Sequence, residues 1–423
     1  MSAAADPTDR TNCEVLIIGG GPAGLTAAAH LAPRTAGRVL VVEREAAAGG
    51  IPRHSDHVGY GIRDLRRFIS GPAYARRLVA GARHAGADIL TDTMVTGWAD
   101  GDTVEVTSPA GRRRIRGAAI ILATGARERP RPARLVPGDR PGGVLTTGQL
   151  QNLVHLHGQS PGERAVIVGA ELVSYSAVLT LRHAGCRVAL MTSLHDQPET
   201  FTALALGGRL GLGLTVATRT RIARIIGHGR VQAVETEHLD TGARRTVACD
   251  TVVFTGDWIP DHELARAAGI ELDPHTRGPL VDTRQATRRP GLFAIGNLTH
   301  PVDTADVAAL DGRAVVPHVL AYLARGDTAA PDAGRLIPGA GLRWISPGLL
   351  HPGVDPPRNR FLAWPERLVR FPTVTVTQGA VALASRRLPW TASPGRVLRI
   401  PAGLVQEGQP SGEPIRVSVA GLG

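Results

Sequence analysis

The stretch Val15-Leu16-Ile17-Ile18-Gly19-Gly20-Gly21-Pro22-Ala23-Gly24 runs from an apolar strand through a glycine turn into a small-residue helix. Each glycine has a separate reason to be there. Gly19 permits the tight turn, Gly21 lets the backbone approach a pyrophosphate, and Gly24 lets the helix lie close on the strand. The helix start then offers unpaired amides and its dipole to an anion. A second strand is expected at residues 38–42, and Glu43 ends it, 19 residues beyond Gly24. A carboxylate there can accept bonds from both ribose hydroxyls and would repel a 2′-phosphate. The spacing therefore predicts the ADP half of a dinucleotide at this turn.

Outward from that unit, residues 50–70 are irregular and a helix is expected over 72–85. Short strands near 89–90, 102–107 and 112–116 form a β-meander, and 118–123 returns as a buried strand. Alternation of this kind implies a parallel sheet covered by helices. A linker rich in Pro and Arg, residues 126–143, precedes a second strand–turn–helix–strand unit at 164–191. Further strands follow at 251–254 and 292–295, then a helix from about 304 to 325. Beyond 330, Pro and Gly become frequent between short apolar runs at 374–376 and 397–400, as in a small β-rich domain.

Composition narrows the function. The 423 residues require more than one core. The net charge of +11 comes from arginine alone, because the chain has no lysine. Schiff-base chemistry and a P-loop lysine are thereby excluded. The arginines are scattered and often neighbour Asp or Glu, so no nucleic-acid partner is expected. Cys13, Cys186 and Cys249 contain no Cys-x-x-Cys pair, which removes a dithiol centre and argues against an iron–sulfur cluster. No metal site is expected. No uninterrupted apolar run reaches membrane-spanning length, and residues 1–12 lack a secretory pattern, so a cytoplasmic protein without a membrane partner is expected.

Two further segments, Ile120-Ile121-Leu122-Ala123-Thr124-Gly125-Ala126 and Gly291-Leu292-Phe293-Ala294-Ile295-Gly296-Asn297, are buried strands ending in small-residue turns. With them the chain resembles the two-dinucleotide-domain flavoproteins, which include pyridine nucleotide–disulfide reductases and the FAD subunits of amine, opine and sarcosine dehydrogenases and oxidases. The resemblance covers roughly residues 14–325. It implies an α/β fold with two Rossmann-like domains, of the glutathione and thioredoxin reductase kind, plus the small C-terminal β-rich domain. The expected division is 12–127 for the first FAD segment, 128–160 linker, 161–275 inserted NAD(P)-like domain, 276–330 second FAD segment and 331–423 C-terminal domain.

The resemblance also implies the site. FAD would contact Gly19, Gly21, Pro22, Ala23, Gly24, Glu43, Arg44, Gly50, Ile51, Arg53, Val95, Ala123, Thr124, Gly125, Gly296, Asn297, Thr304 and Ala305. At Asn297 an amide replaces the usual carboxylate. The helix from about Thr304 would turn its positive end toward the flavin pyrimidine. In the loop Gly49–Tyr60, Arg53 could fix a carboxylate and His54 or His57 could act as base, or these histidines could satisfy loop backbone groups. His300 is a further candidate. The run Arg127-Glu128-Arg129 is expected to be a solvated, salt-bridged connector.

The second unit departs from the family pattern. It reads Gly169-Ala170-Glu171-Leu172-Val173-Ser174, with Glu171 where a glycine should admit a pyrophosphate. A carboxylate about 4 Å from a phosphate costs roughly 1–4 kcal/mol. The next strand ends in Leu190-Met191-Thr192, with no ribose-binding acid. NAD(P) binding is therefore doubtful, unless a shifted loop turns Glu171 toward the helix. Electrons would come from a small amine or amino-acid-like substrate, by hydride transfer to the flavin. They would leave to oxygen, a quinone or a second redox subunit. An NAD(P)H-dependent reductase or monooxygenase, and an FAD-bearing electron-transfer subunit, remain alternatives, and homo-oligomerisation stays open.

Overall fold

The apolar run at residues 15–18 forms the second half of the strand Arg10–Ile18, with each of those four side chains 4% exposed or less. Val39–Val42 pairs with it in parallel on one side and Gly111–Leu122 on the other. Asp88–Leu90 and Leu292–Ala294 extend the parallel sheet outward. Helices and the meander cover both faces, so these strands are continuously apolar rather than alternating. The computed structural model describes residues 10–326, 334–405 and 412–421.

Two segments differ from expectation. Residues 112–116 and 118–123 form one strand, Gly111–Leu122. Its first part pairs antiparallel with Thr103–Ser108 and its last part parallel with Leu292–Ala294, so a change of surroundings had read as a gap. Conversely, the helix expected over 304–325 is two helices, Ala305–Ala314 and Val316–Arg325. Pro317 opens the second, where its missing N–H is tolerated. Residues 305–325 are long and apolar enough to cross a membrane by composition. Here they carry Asp306 and Asp311, 3% and 1% exposed, and pack on the first helix, Pro22–Leu31. At Gly312 a side chain would run into the Ala23 carbonyl.

The second domain has its own parallel sheet, in the order Val144–Thr146, Thr251–Phe254, Arg164–Val168, Arg187–Thr192, Val216–Ala217. Leu172–His183 and Thr202–Leu212 are its long helices. An antiparallel sheet of Thr220–His228, Arg230–His238 and Arg244–Ala248 adjoins it. The ribbon of Ala126–Glu128 against Trp258–Pro260 carries the crossing between the two domains.

Residues after 334 build a five-stranded and a three-stranded sheet around a core that includes Phe361, Val374, Val376, Ile400 and Val417. Buried charge docks this unit on the helix Ala305–Ala314. Arg358 pairs with Asp311, which also holds His300 Nε2 at 2.5 Å, and Arg399 meets Asp303 at 2.7 Å. Burial pushes the Asp311 carboxyl upward, but Arg358 and His300 together outweigh it and hold the group below the usual carboxylate range. Arg358→Ala leaves that buried charge short of its main partner. It should destabilise the protein by about 3–5 kcal/mol in urea unfolding. A loss within about 0.5 kcal/mol, typical of surface substitutions, would mean that the docking is not held by this pair.

Candidate functional site

The turn after Ile18 separates the three glycine roles. Gly19 has φ +111°, and a side chain there would strike the Ala123 backbone. Gly24 lies so close under the turn that a Cβ would overlap the Gly19 carbonyl and sit 3.1 Å from Ile17 Cγ2. Gly21 is different: its backbone is extended (φ −84°, ψ −174°), and a Cβ would find only Gly50 Cα at 4.0 Å. Nothing within the protein requires glycine at 21. What its bare backbone preserves is open room at the helix start. Gly50, with φ +62°, closes the far side of that room.

A cavity of about 2210 Å³ opens here. Of the expected residues, Gly19, Gly21, Pro22, Ala23, Glu43, Arg44, Gly50, Ile51, Arg53, Val95, Ala123, Thr124, Gly125, Asn297, Thr304 and Ala305 line it. Gly24 and Gly296 do not, and act from behind: at Gly296 a side chain would press within 2.9 Å of Ala23 Cβ. Glu43 is 7% exposed, and its oxygens accept from Gly20 N at 2.8 Å and Glu45 N at 2.9 Å. Each oxygen keeps lone-pair capacity for a ribose hydroxyl. Asn297 donates to the Asp303 carbonyl and accepts its N–H, both at 3.1 Å, which staples the loop between them.

The loop after Gly50 sorts its candidates. Arg53 is already held by Glu45 at 3.0 Å and by the Ala47 carbonyl. His57 uses both ring nitrogens, Nδ1 on the Val58 carbonyl at 2.8 Å and Nε2 on Ser176 Oγ at 2.7 Å. His54, 8% exposed, keeps Nδ1 without a partner. Burial first, and then the Arg53 charge, lowers its pKa to about 4, so its ring is neutral at pH 7. His300 is 4% exposed, bound to Asp311 and outside the cavity lining.

Sequence patterns missed several neighbours. Arg63 donates its backbone N–H at 2.9 Å and its guanidinium at 3.2 Å to Asp306. The helix end expected to face a ligand therefore already carries its own carboxylate and cation. Trp344 and Trp364, tilted against each other with ring centroids 5.8 Å apart, bring the C-terminal domain into the cavity wall. Neither feature has a local sequence signal, since each depends on segments far apart in the chain.

The same cavity reaches the second domain's glycine turn. There the Glu171 carboxylate lies over the turn: a Cβ on Gly169 would be 2.6 Å from its Oε2, and one on Gly256 would meet its Oε1. The Arg127–Arg129 connector is only partly solvated. Arg127 and Arg129 pair with Glu263 and Asp257 at 2.6 and 3.0 Å, but Glu128 between them is 6% exposed and turned inward. The strand pleat explains this, because alternate residues of Ala126–Glu128 must face opposite sides.

The family model described as "Pyridine nucleotide-disulphide oxidoreductase" matches residues 13–312. The chain belongs to that family. An opine oxidase subunit of Agrobacterium tumefaciens (strain Ach5) is 26% identical over 358 residues, covering 76% of this chain and 68% of its own length. The ferredoxin reductase component of chlorobenzene dioxygenase from Cupriavidus sp. (strain PS12) is 29% identical over 299 residues, covering 67% and 66%. The crystal structure of T. acidophilum thioredoxin reductase superposes with a TM-score of 0.61 at 20% identity, over 73% of this chain and 98% of that one, which speaks to the fold.

As a member of this family the chain is an FAD-dependent oxidoreductase, and the first crevice fits the cofactor. Gly21 leaves space that no protein atom fills, at a helix start beside a buried carboxylate. Gly21→Glu would put a charge about 4 Å from the pyrophosphate, costing roughly 1–4 kcal/mol, or about tenfold to a thousandfold in affinity, before steric overlap. The purified variant should be colourless; a yellow one with full FAD content would contradict the placement.

A second expectation concerns Glu199, 8% exposed, whose pKa is raised to about 8 by burial and then by Glu171. The folded state therefore holds this proton where the unfolded chain has released it. Stability from this group is complete below about pH 4.5 and is lost as pH climbs toward about 8. Relative to wild type, Glu199→Gln should gain stability from about pH 5 to about pH 8 and then level off; a constant difference across that range would show that Glu199 does not titrate this way.

Proposed function

We propose that this chain is a cytoplasmic FAD-dependent dehydrogenase or oxidase that takes electrons from a small amine or amino-acid-like substrate. Its electrons would go to an acceptor other than NAD(P), with a second redox subunit the natural recipient. The observation that carries this reading is the Glu171 carboxylate seated on Gly169 and Gly256, where a nicotinamide dinucleotide would need its pyrophosphate. The similarity to a subunit of opine oxidase supports a substrate and partner of this kind.

FAD, when bound, supplies the two-electron acceptor. The chain's own contribution is positional and acid–base. Gly19, Gly21 and Glu43 hold the ADP half, and the loop after Gly50 runs along the cavity toward the reacting end. His54 is the base we favour, because it lines the cavity and its Nδ1 has no protein partner to occupy it. His57, fixed by Ser176 and Val58, orients the loop.

The similarity to a dioxygenase ferredoxin reductase component favours a second reading, reduction of the flavin by NAD(P)H. Anaerobic mixing with NADH, NADPH and a panel of secondary amines separates the two by which compound bleaches the flavin band. Glu171→Gly should raise NADH affinity about tenfold to a thousandfold by removing the repulsion. Rapid bleaching of wild type by NADH, or no gain in the variant, would displace the proposal.

A further inference from the structure

The crevice of the second domain carries a charge pattern opposite to that of a dinucleotide site. Doubly wound sheets bind ligands outside the carboxyl ends of their strands. At that position here, Glu128, Glu171 and Glu199 line the cavity together. Glu128 Oε2 accepts the Gly148 N–H at 2.9 Å, but Oε1 has no partner. Glu199 Oε2 and Glu171 Oε1 are likewise unpartnered. Outside the acidic group, the Thr147 hydroxyl, 1% exposed and also on the cavity wall, lies near Glu128 without a well-formed hydrogen bond. Buried polar atoms are nearly always satisfied, so unpartnered oxygens on residues that line one cavity call for a partner with donors.

The charges near them do not supply that ligand. Arg134 reaches Glu128 and Glu171 electrostatically, while its Nε and Nη2 hydrogens go to the Arg129, Thr255 and Gly256 carbonyls at 2.7, 2.9 and 2.6 Å. His195 stands 3.7 Å from Glu199, but burial depresses its basicity and keeps it neutral. Tyr175 faces Glu199 from the Leu172–His183 helix. Arg396, on the C-terminal hairpin that packs on Glu199, stacks over Phe201 at 4.4 Å. Among the described residues no three His, Cys, Asp or Glu side chains converge on a metal-sized point. The carboxylates are spread along the wall, which suits an extended organic cation better than an ion.

We propose that this second crevice is a binding site for an organic ammonium ligand, such as a linear diamine, held by Glu128, Glu171 and Glu199. The ammonium hydrogens satisfy the free carboxylate oxygens and the Thr147 hydroxyl, and the cation replaces the protons that burial now keeps on Glu128 and Glu199. Those protons, on groups raised to about 7 and about 8, must be released on binding. The proposal is independent of what the flavin oxidises.

The test is calorimetric titration of the FAD-loaded protein with 1,4-diaminobutane, at pH 7 and pH 8.5 in two buffers of different ionisation heat. Binding should release protons at pH 7 and tighten at pH 8.5. Glu199→Gln and Glu128→Gln should each weaken it about tenfold or more, with FAD content unchanged. 1,4-Butanediol, the uncharged analogue, should not bind. Absence of binding at both pH values, binding without proton release at pH 7, or an affinity that survives both substitutions overturns the proposal. So does tighter binding of ATP or NADH than of the diamine at this crevice. Of these outcomes only tight NADH binding also bears on the functional reading; the diamine results leave open which compound bleaches the flavin, so the two failures are distinguishable.

Discussion

The structure depends on one close approach: the first helix lying directly on the first strand, with its bare amide end turned toward a crevice. Gly24 sits where any Cβ would overlap the Gly19 carbonyl, and Gly19 bends where any side chain would meet Ala123. From the other side, Gly312 and Gly296 admit the Ala305–Ala314 helix and the end of the last strand to within contact of Ala23. These four positions draw segments nearly three hundred residues apart against one helix. The space at Gly21 exists because they do so, and FAD binding follows from that space.

The second domain repeats the architecture and reverses its electrostatics. A parallel sheet again directs a glycine turn into a helix, and Gly169 has φ +141° as the turn requires. Yet the protein places its own carboxylate where the first domain leaves room. Glu171 is the N-cap residue of Leu172–His183 but makes no side-chain cap hydrogen bond, so only the helix dipole favours its charge there. Such a fold can be kept while its ligand changes, because the sheet and its helices depend on apolar packing and the ligand depends on a few side chains at the rim.

The C-terminal domain links to both crevices. Its arginines Arg358 and Arg399 hold the helix and loop that follow the last flavin-side strand. Its Trp344 and Trp364 form cavity wall, and its hairpin at Gly395 packs on Glu199. The thioredoxin reductase of T. acidophilum covers 73% of this chain, so the fold it shares does not extend to every part of this arrangement.

The amino-acid sequence by itself determined the parts governed by local rules. Unbroken apolar runs announced buried parallel strands, the glycine spacing announced the turn, and Glu43 followed at the right distance for a ribose. Glu171 was likewise visible as an intruder, because the pattern it breaks is a short one. Only the tertiary structure decided where each polar group found its partner. His57 is engaged by Ser176 and Asp306 by Arg63, pairings across 119 and 243 residues that no window of sequence contains. Glu128 was legible as a charge but not as a buried one, since its side depends on a ribbon formed with residues 258–260. The physical reason is the same throughout: backbone conformation answers to neighbours in the chain, whereas burial and charge pairing answer to neighbours in space.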